Sequence, residues 1–548
     1  MRISPAVLAL LLTVPAWASA QTPPAPAPAP APAPAAAAVA PAAAGATTAP
    51  KHVRRHYRRH HRVALAAKTP AAPVAGAQAN DQPPGEGTVP AAPPVVVKAA
   101  LVQAPHRVAV VPAVAAVVAT RQAAPVTAGK LAPGLTPFGA ITAGNADGTI
   151  PAWTGGLTTP PAGFVRGGGH PNPYADEKKL YSISAANMGQ YAPQLTPGIQ
   201  AMLRQYPGYR LDVYPTHRSF AAPKPILEAA INNAGHAHLA ADGKSVIGAT
   251  ASIPFPMPQS GLEAVWNHLL RWRGYQAHFT SYAATPTTSG DYTLIKNDTK
   301  LLFAYANGGV SDNGVLAYYI IKTLEPPLYS GQIAVANDHV DPGAHPREAW
   351  VYSPGESRVR RAPEVNFDTP QVQADSLATD DDLDVYNGSP ERYNWQLVGR
   401  REMYVPYNDY EFGSESHDYS DLLKPLYINP DLMRWELHRV WVVEATLKPG
   451  SHHIYSRRTF YFDEDSWEGL LADEYDRRGQ IWRVISGAPI EFYEVPVLTN
   501  GANIFYDLQA RRYHARGMRN RDASIDFFGA KMTPADFSPE ALREAGVR

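Results

Sequence analysis

Three arginines in segments of β character are the first candidates for chemistry. Arg358 and Arg360 belong to a predicted hairpin, and Arg457 lies in a predicted series of antiparallel strands. A guanidinium can bind a phosphate or carboxylate in bidentate fashion, so these side chains could hold the headgroup of an amphipathic ligand. For each arginine taken alone, pairing with Glu or Asp on a neighbouring strand is the simpler interpretation.

Large apolar side chains could line the rest of such a site. Trp266 and Leu269 share the apolar face of a predicted helix, and Trp441 lies in a predicted strand. Such side chains could contact a hydrocarbon chain, although a place in the core explains each one equally simply. The candidate ligand-binding residues are therefore Trp266, Leu269, Arg358, Arg360, Trp441 and Arg457.

An acidic run has part of the pattern of a calcium loop. Asp380, Asp382 and Asp384 alternate, but Val385 stands where the loop requires glycine, and the oxygen-rich end is missing. We therefore expect a solvated acidic turn rather than a calcium site.

Histidines offer a weaker metal pattern. His438 and one of the adjacent His452 and His453 could meet across neighbouring strands, and neighbours within a strand point to opposite faces. The chain has no cysteine, which excludes disulfides and thiolate metal sites. We predict neither a metal nor a cofactor.

Two common catalytic signatures are missing, the Gly-x-Ser-x-Gly elbow and the His-Glu-x-x-His pair. His217 or His268 beside a carboxylate would be the base of a hydrolase of another type, which needs a polar cleft with convergent groups. We predict no catalytic residues, and such an envelope hydrolase is an alternative hypothesis.

The elements that position these residues are helices followed by many strands. Thr196 and Pro197 predict the start of one helix, and Ser260 with Glu263 predicts a capped second helix that carries Trp266. Beyond residue 275, residues 292–305 and 349–361 are predicted hairpins, and residues 436–485 are a predicted meander of four strands. Residues 440–443 are apolar on both faces, so we expect that part of the sheet to be covered on both sides, in one case by a ligand.

The first twenty residues predict a cleaved signal peptide. Arg2 precedes a short apolar stretch, and residues 18–20 are small, as at a cleavage site. The apolar stretch is shorter than the roughly 20 residues that a membrane helix needs. We expect a periplasmic protein, possible association with the outer membrane, and no lipoprotein anchor because no cysteine follows the cleavage site.

Residues 21–130 predict a disordered linker that alternates Ala and Pro and is basic. Its residues 51–62, from Lys51 to Arg62, are rich in Arg and His. They could bind an anionic envelope surface or a metal, although a solvated tail is the preferred interpretation. We expect no nucleic-acid partner.

Several motifs in order resemble a known family. They are residues 135–137 (LTP), 144–156 (GNADGTIPAWTGG), 214–218 (YPTHR), 253–256 (IPFP), 261–269 (GLEAVWNHL), 358–363 (RVRRAP) and 455–461 (YSRRTFY). Together they resemble the proteobacterial domain of unknown function 1329 family over about residues 131–540. That family is grouped with the LolA and LolB lipoprotein carriers.

The resemblance implies an α+β fold for residues 131–548. It would be a curved antiparallel β-sheet, a LolA/LolB-like half-barrel, covered by helices over an apolar cavity. It also implies a carrier for lipid, lipoprotein or another hydrophobic compound, working with an outer-membrane channel and an inner-membrane transporter. An assembly subunit that holds such partners together, with residues 21–130 as spacer, is the other alternative.

Overall fold

The computed structural model describes residues 131–307, 314–362, 365, 367–522, 524–529 and 531–547. The expected signal peptide (1–20) and linker (21–130) lie outside the described residues.

Most of the described chain is β-structure. The strands are β1 (Tyr181–Ile183), β2 (Leu211–Val213), β3 (His238–Leu239), β4 (Val246–Ile247), β5 (Gln276–Ala284), β6 (Ile295–Leu302), β7 (Val315–Glu325), β8 (Ile333–His339), β9 (Glu348–Ser353), β10 (Arg358–Arg361), β11 (Tyr393–Pro406), β12 (Trp435–Leu447), β13 (Arg457–Asp463), β14 (Gly469–Tyr475), β15 (Ile481–Phe492), β16 (Val497–Asp507), β17 (Arg512–Met518) and β18 (Ile525–Asp526). The helices are α1 (Met188–Tyr191), α2 (Pro197–Gln205), α3 (Lys224–Asn233), α4 (Gly261–Leu270), α5 (Tyr419–Leu422) and α6 (Pro539–Val547).

One 16-stranded sheet dominates, and β3 with β4 forms a separate small one. Its main path is β1-β2-β12-β13-β14-β15-β16-β17-β5-β6-β7-β8-β9-β10, with β11 beside β12 and β18 beside β5. Two meanders, β5 to β10 and β11 to β17, thus become one sheet where β17 pairs with β5. Among the described strands, only the pairing of Trp435 with Val213 is parallel. The result is a large, mostly antiparallel sheet with few helices.

The predicted meander is confirmed. Strands β12 to β15 pair in sequence, the predicted turns at residues 448–450 and 477–479 lie between them, and the predicted turn at 463–466 begins on the last residue of β13. Residues 440–443 are all buried. The ring of Trp441 stacks on Trp467 at a centroid distance of 5.6 Å, and Arg400 lies 4.3 Å above it. Protein side chains therefore cover Trp441.

One predicted hairpin is confirmed and the other is wrong. Strands β9 and β10 pair around residues 354–356 as expected. The polar pair Asn297 and Asp298, in contrast, lies inside the continuous strand β6. Thr323 donates a hydrogen bond to Asn297 Oδ1 at 3.0 Å, and Asp298 lies 2.8 Å from His278. Because partners on both neighbouring strands satisfy these side chains, no turn forms there.

Both predicted helices are confirmed with their caps. Ile199 N donates to Thr196 Oγ1 at 3.1 Å, and Glu263 N donates to Ser260 Oγ at 3.2 Å. Helix α4 packs against β11 and β12. Gly261 permits this approach, since a Cβ there would lie 2.6 Å from the backbone nitrogen of Gln396.

Within the described ranges, no helix has both the length and the apolar composition required to cross a membrane.

Candidate functional site

A cavity of about 270 Å³ lies where α4 faces β7, β8 and two loops. Its apolar lining comprises Trp266, Leu269, Leu316, Pro342, Pro346 and Phe367, and its other lining residues are Asp338, His339, Gly343, Arg347, Asn387, Gly388, Ser389 and Glu391. The wall is thus mixed, with apolar side chains interrupted by a few polar groups. Binding pockets for small molecules have this character.

Helix α4 supplies the most buried part of the apolar wall. Trp266 and Leu269 are three residues apart, so they share one face of the helix, and both are buried. The cap at Ser260 and the close approach at Gly261 set the position of that face.

Three buried polar atoms belong to residues of this wall. Trp266 Nε1, His339 Nδ1 and Ser389 Oγ have no hydrogen-bond partner within the described part of the chain. Buried polar groups are normally paired, because an unpaired donor or acceptor costs about 1–3 kcal/mol. Neighbouring atoms cover these three groups, so a bound molecule would reach and satisfy them only if the wall shifted.

Two charged residues of the wall, Arg347 and Asp338, already form an ion pair with each other. Arg347 donates to both carboxylate oxygens of Asp338, at 2.5 and 3.0 Å, and to the carbonyl of Asn387 at 3.1 Å. Burial by itself would lower the pKa of Arg347. The adjacent Asp338 carboxylate has the larger effect and holds that pKa above its usual value. Burial also lowers the pKa of His339, so that ring is neutral at neutral pH. The unpaired groups are therefore uncharged.

The six predicted ligand-binding residues do not lie together. Trp266 and Leu269 line the cavity, whereas Trp441 stacks on Trp467 elsewhere in the core. Arg360 lies 3.4 Å from Glu356, Arg358 is exposed on β10, and Arg457 donates to Glu444 at 2.9 Å. None of the three arginines lines the cavity, and their role in ligand binding stays a prediction.

The residues that sequence reasoning missed come mainly from the end of β8, from the loop that follows it and from the loop before β11. Asp338, His339 and Arg347 enclose one side of the cavity, and Asn387 and Ser389 another. These segments carry no local motif. Turn formers, among them Pro342, Gly343 and Gly388, mark them only as loops.

The predicted solvated acidic turn is wrong. Asp381 and Asp382 are buried, because they neutralise the fully buried Arg458 of β13. Arg458 donates to Asp381 at 2.9 Å and to Asp382 at 2.8 Å, and it lies 2.7 Å from Glu474.

Asp384, the third acid of the calcium-like pattern, has different partners. Arg271 and Arg273 donate to its two oxygens at 2.6 and 3.0 Å. Asp382 and Asp384 thus pair with different arginines rather than with one ion.

The two histidines considered for a hydrolase differ in their surroundings. His217 Nε2 lies 2.6 Å from Glu177 Oε1, and its ring stacks on Tyr174. His268 is fully buried, and its two ring nitrogens lie 3.0 and 2.9 Å from the carbonyl oxygens of Trp467 and Tyr386. His217 has the predicted carboxylate partner, but neither histidine lines the cavity.

The histidine pair predicted across strands does not form. His453 lies 3.0 Å from Asp381, in the Arg458 network. His438 instead meets Asp463 and Asp465, and the three residues offer ligand atoms within 4.8 Å of one another. Asp463 ends β13 and Asp465 lies in the turn that follows, a segment that the sequence marked only as a turn.

Comparison of the sequence with known proteins identifies the family. The model of the family described as "Protein of unknown function (DUF1329)" matches residues 182–543, and the chain belongs to this family. The uncharacterized protein PA3922 of Pseudomonas aeruginosa is 42% identical over 425 residues, which is 77% of this chain and 93% of that protein. The resemblance stated from the motifs is thereby confirmed.

Two solved structures show a more distant likeness. A DUF1329 family protein from Desulfovibrio piger is 15% identical, with a TM-score of 0.34, over 49% of this chain and 92% of that chain. The LolA superfamily protein NE2245 from Nitrosomonas europaea is 11% identical, with a TM-score of 0.32, over 52% of this chain and all of that chain (100%).

Proposed function

We propose that this protein binds a lipid or another hydrophobic molecule in the cavity beside α4 and carries it within the cell envelope. The observation that supports this most directly is the apolar wall with three buried, unpaired and uncharged polar atoms. An apolar chain would fill the space, and an ester, alcohol or amide group would satisfy the polar atoms.

The size of the cavity limits which ligands can fit. A volume of about 270 Å³ is close to the lower bound of roughly 300 Å³ for small-molecule pockets. One chain segment or a compact ring system fits such a space better than several acyl chains. Each methylene transferred from water would contribute about 0.8 kcal/mol, so binding needs no covalent step.

The polar groups of the wall limit the charge that the ligand can carry. The guanidinium of Arg347 is already paired with Asp338, and His339 is neutral. We therefore expect an uncharged polar group at this position rather than a carboxylate or phosphate. The headgroup role first assigned to Arg358, Arg360 and Arg457 would require a second site on the surface.

A displacement experiment tests the proposal. The full-length chain would be purified from the bacterial envelope, and molecules that remain bound would be identified by native mass spectrometry. A neutral fluorophore, phenylnaphthylamine, would then be displaced by a monoacylglycerol and by the matching fatty acid. We expect the monoacylglycerol to compete more strongly. A protein that retains no apolar molecule and takes up neither the fluorophore nor the lipids would contradict the proposal.

Trp266→Phe should weaken monoacylglycerol binding about 3- to 10-fold, because it removes one hydrogen-bond donor and keeps an aromatic ring. Trp441→Phe is the matched control, since Trp441 Nε1 is also buried and unpaired within the described chain but does not line the cavity. Equal losses in the two variants would show that the donor at Trp266 is not what the ligand contacts.

A further inference from the structure

A second polar site lies within the sheet, and it shares no residue with the cavity. His438 belongs to β12, Asp463 ends β13, and Asp465 lies in the turn that leads to β14. All three residues are buried, with exposed fractions of 1%, 0% and 3%. Their ligand atoms lie within 4.8 Å of one another. One strand residue and two residues near the next turn thus bring an imidazole and two carboxylates close together.

The imidazole is held in a fixed orientation. His438 Nε2 lies 2.9 Å from Glu436 Oε2, and the ring stacks on Tyr407 with centroids 3.8 Å apart. A carboxylate bonded to one ring nitrogen is the usual support of a histidine that binds a metal with its other nitrogen. Because Nε2 contacts Glu436, Nδ1 is the nitrogen of His438 that would bind an ion.

Asp463 has one oxygen that no donor satisfies. Its Oδ2 accepts hydrogen bonds from the Tyr407 hydroxyl at 3.1 Å and from Ser466 N and Oγ at 3.0 and 2.6 Å. Its Oδ1 is buried and has no hydrogen-bond partner among the residues that the structure describes. A buried carboxylate oxygen without a partner is costly, and a bound cation would supply the partner that this atom lacks.

The two neighbouring carboxylates, Asp465 and Glu436, are already paired with arginines. Arg218 donates to both oxygens of Asp465, at 2.9 and 2.6 Å, and Arg434 donates to Glu436 at 2.5 Å. Asp463 has no such pairing with a lysine or arginine in the described ranges. With His438 neutral, as a metal ligand must be, the cluster contains one more carboxylate than guanidinium, and a bound cation would offset this charge.

We propose that His438, Asp463 and Asp465 bind one divalent transition-metal ion of the Zn²⁺ class. A nitrogen and two carboxylate oxygens suit such an ion better than Ca²⁺ or Mg²⁺, which prefer oxygen alone. Metal–ligand distances of about 2.0–2.2 Å require the three groups to close slightly around the ion. The ion would join β12 to the turn between β13 and β14, and it would stabilise the sheet independently of the cavity.

The experiment uses the full chain in which His52, His56, His60 and His61 are changed to Asn, because that segment could itself bind metal. The protein would be stripped with EDTA, dialysed, and titrated with ZnCl₂ and CoCl₂. We expect one equivalent of Zn²⁺ per chain, visible d–d absorption with Co²⁺, and a rise of several degrees in Tm at a 100-fold excess over Kd.

Asp463→Asn and His438→Gln should each abolish that equivalent and the Co²⁺ absorption. Asp473→Asn is the matched control, because Asp473 is an equally buried carboxylate of β14 with its own donors, Tyr461 and Thr196. Retention of the Zn²⁺ equivalent by folded Asp463→Asn protein would overturn the proposal, and so would the absence of Zn²⁺ binding to the parent chain.

If the substitutions prevent folding, anomalous diffraction from Co²⁺-loaded parent crystals decides the question. A peak between His438, Asp463 and Asp465 would support the site. A peak elsewhere, or none, would overturn it.

Discussion

At the scale of single residues, the described chain buries several charged side chains close to one another. Arg458, Asp381, Asp382 and Glu474 are almost completely excluded from solvent, and each of the three carboxylates lies within ion-pairing distance of Arg458. Such a network is weak evidence of net stability, because desolvation offsets the attraction. Its members nevertheless depend on one another, since removing one leaves uncompensated charge in the core.

This dependence predicts a large contrast between two adjacent arginines. Arg458→Met should lower the free energy of unfolding by about 3–5 kcal/mol, because it leaves buried carboxylates without a cation. Arg457→Met should cost about 1 kcal/mol or less, because Arg457 is partly exposed and its pair with Glu444 is screened. Urea denaturation of the two variants measures both values. Similar losses would contradict the assignment of Arg458 as the centre of a buried network.

At the scale of elements, the pairing of β17 with β5 determines whether two meanders form one sheet. Ala515 pairs with Ala284 and Met518 with Tyr282. Beside this junction, His514 Nδ1 lies 2.9 Å from the hydroxyl of Thr285. Burial, aided by the nearby Arg516, lowers the pKa of His514 to about 3. The junction therefore contains a histidine that is neutral in the folded state.

Acid should weaken the junction. The pKa of His514 is about 3 in the folded protein and about 6.5 when unfolded, so the unfolded chain binds more protons between these values. The stability from neutral His514 is present above about pH 6.5 and is lost as the pH falls toward 3. At pH 5 the loss is about 2 kcal/mol.

Comparison with His514→Gln isolates this effect from the other titrating groups. The stability difference between the parent protein and the variant should change by about 2 kcal/mol between pH 7.5 and pH 5, to the disadvantage of the parent. Urea unfolding at both pH values measures it. A difference that does not vary with pH would show that His514 is not neutral in the folded state.

At the scale of the whole molecule, one end of the described sheet is the short strand β10. It has four residues, three of which are Arg358, Arg360 and Arg361. Unpaired strand edges can template association, and short, charged edge strands oppose it. The arginines of β10 therefore have an explanation at this scale that involves no ligand.

Replacing Arg358, Arg360 and Arg361 with Thr should cause concentration-dependent self-association, because it leaves a neutral strand of high β-propensity at the edge. Sedimentation velocity over a range of concentrations measures this, and monoacylglycerol binding in the same variant should be unchanged. A variant that sediments like the parent and loses lipid binding would instead support the ligand role predicted from the sequence.

The sequence by itself determined the features that depend on near neighbours. The caps at Thr196 and Ser260 act within three residues, and the turns of the β12–β15 meander contain the residues that such turns require. The seven motifs were also sufficient to identify the family. Trp266 and Leu269 could be placed on a common helix face from their spacing alone.

Only the tertiary structure decided which distant groups meet. Asn297 and Asp298 are turn formers that became part of a strand, because β5 and β7 supply their partners. Asp381 is buried only because Arg458, 77 residues away, needs a counter-charge. The cavity and the His438 cluster likewise depend on strand register and on loops that carry no local signal. Burial of a polar or charged group is favourable only when its partners are in place, and no local pattern specifies those partners.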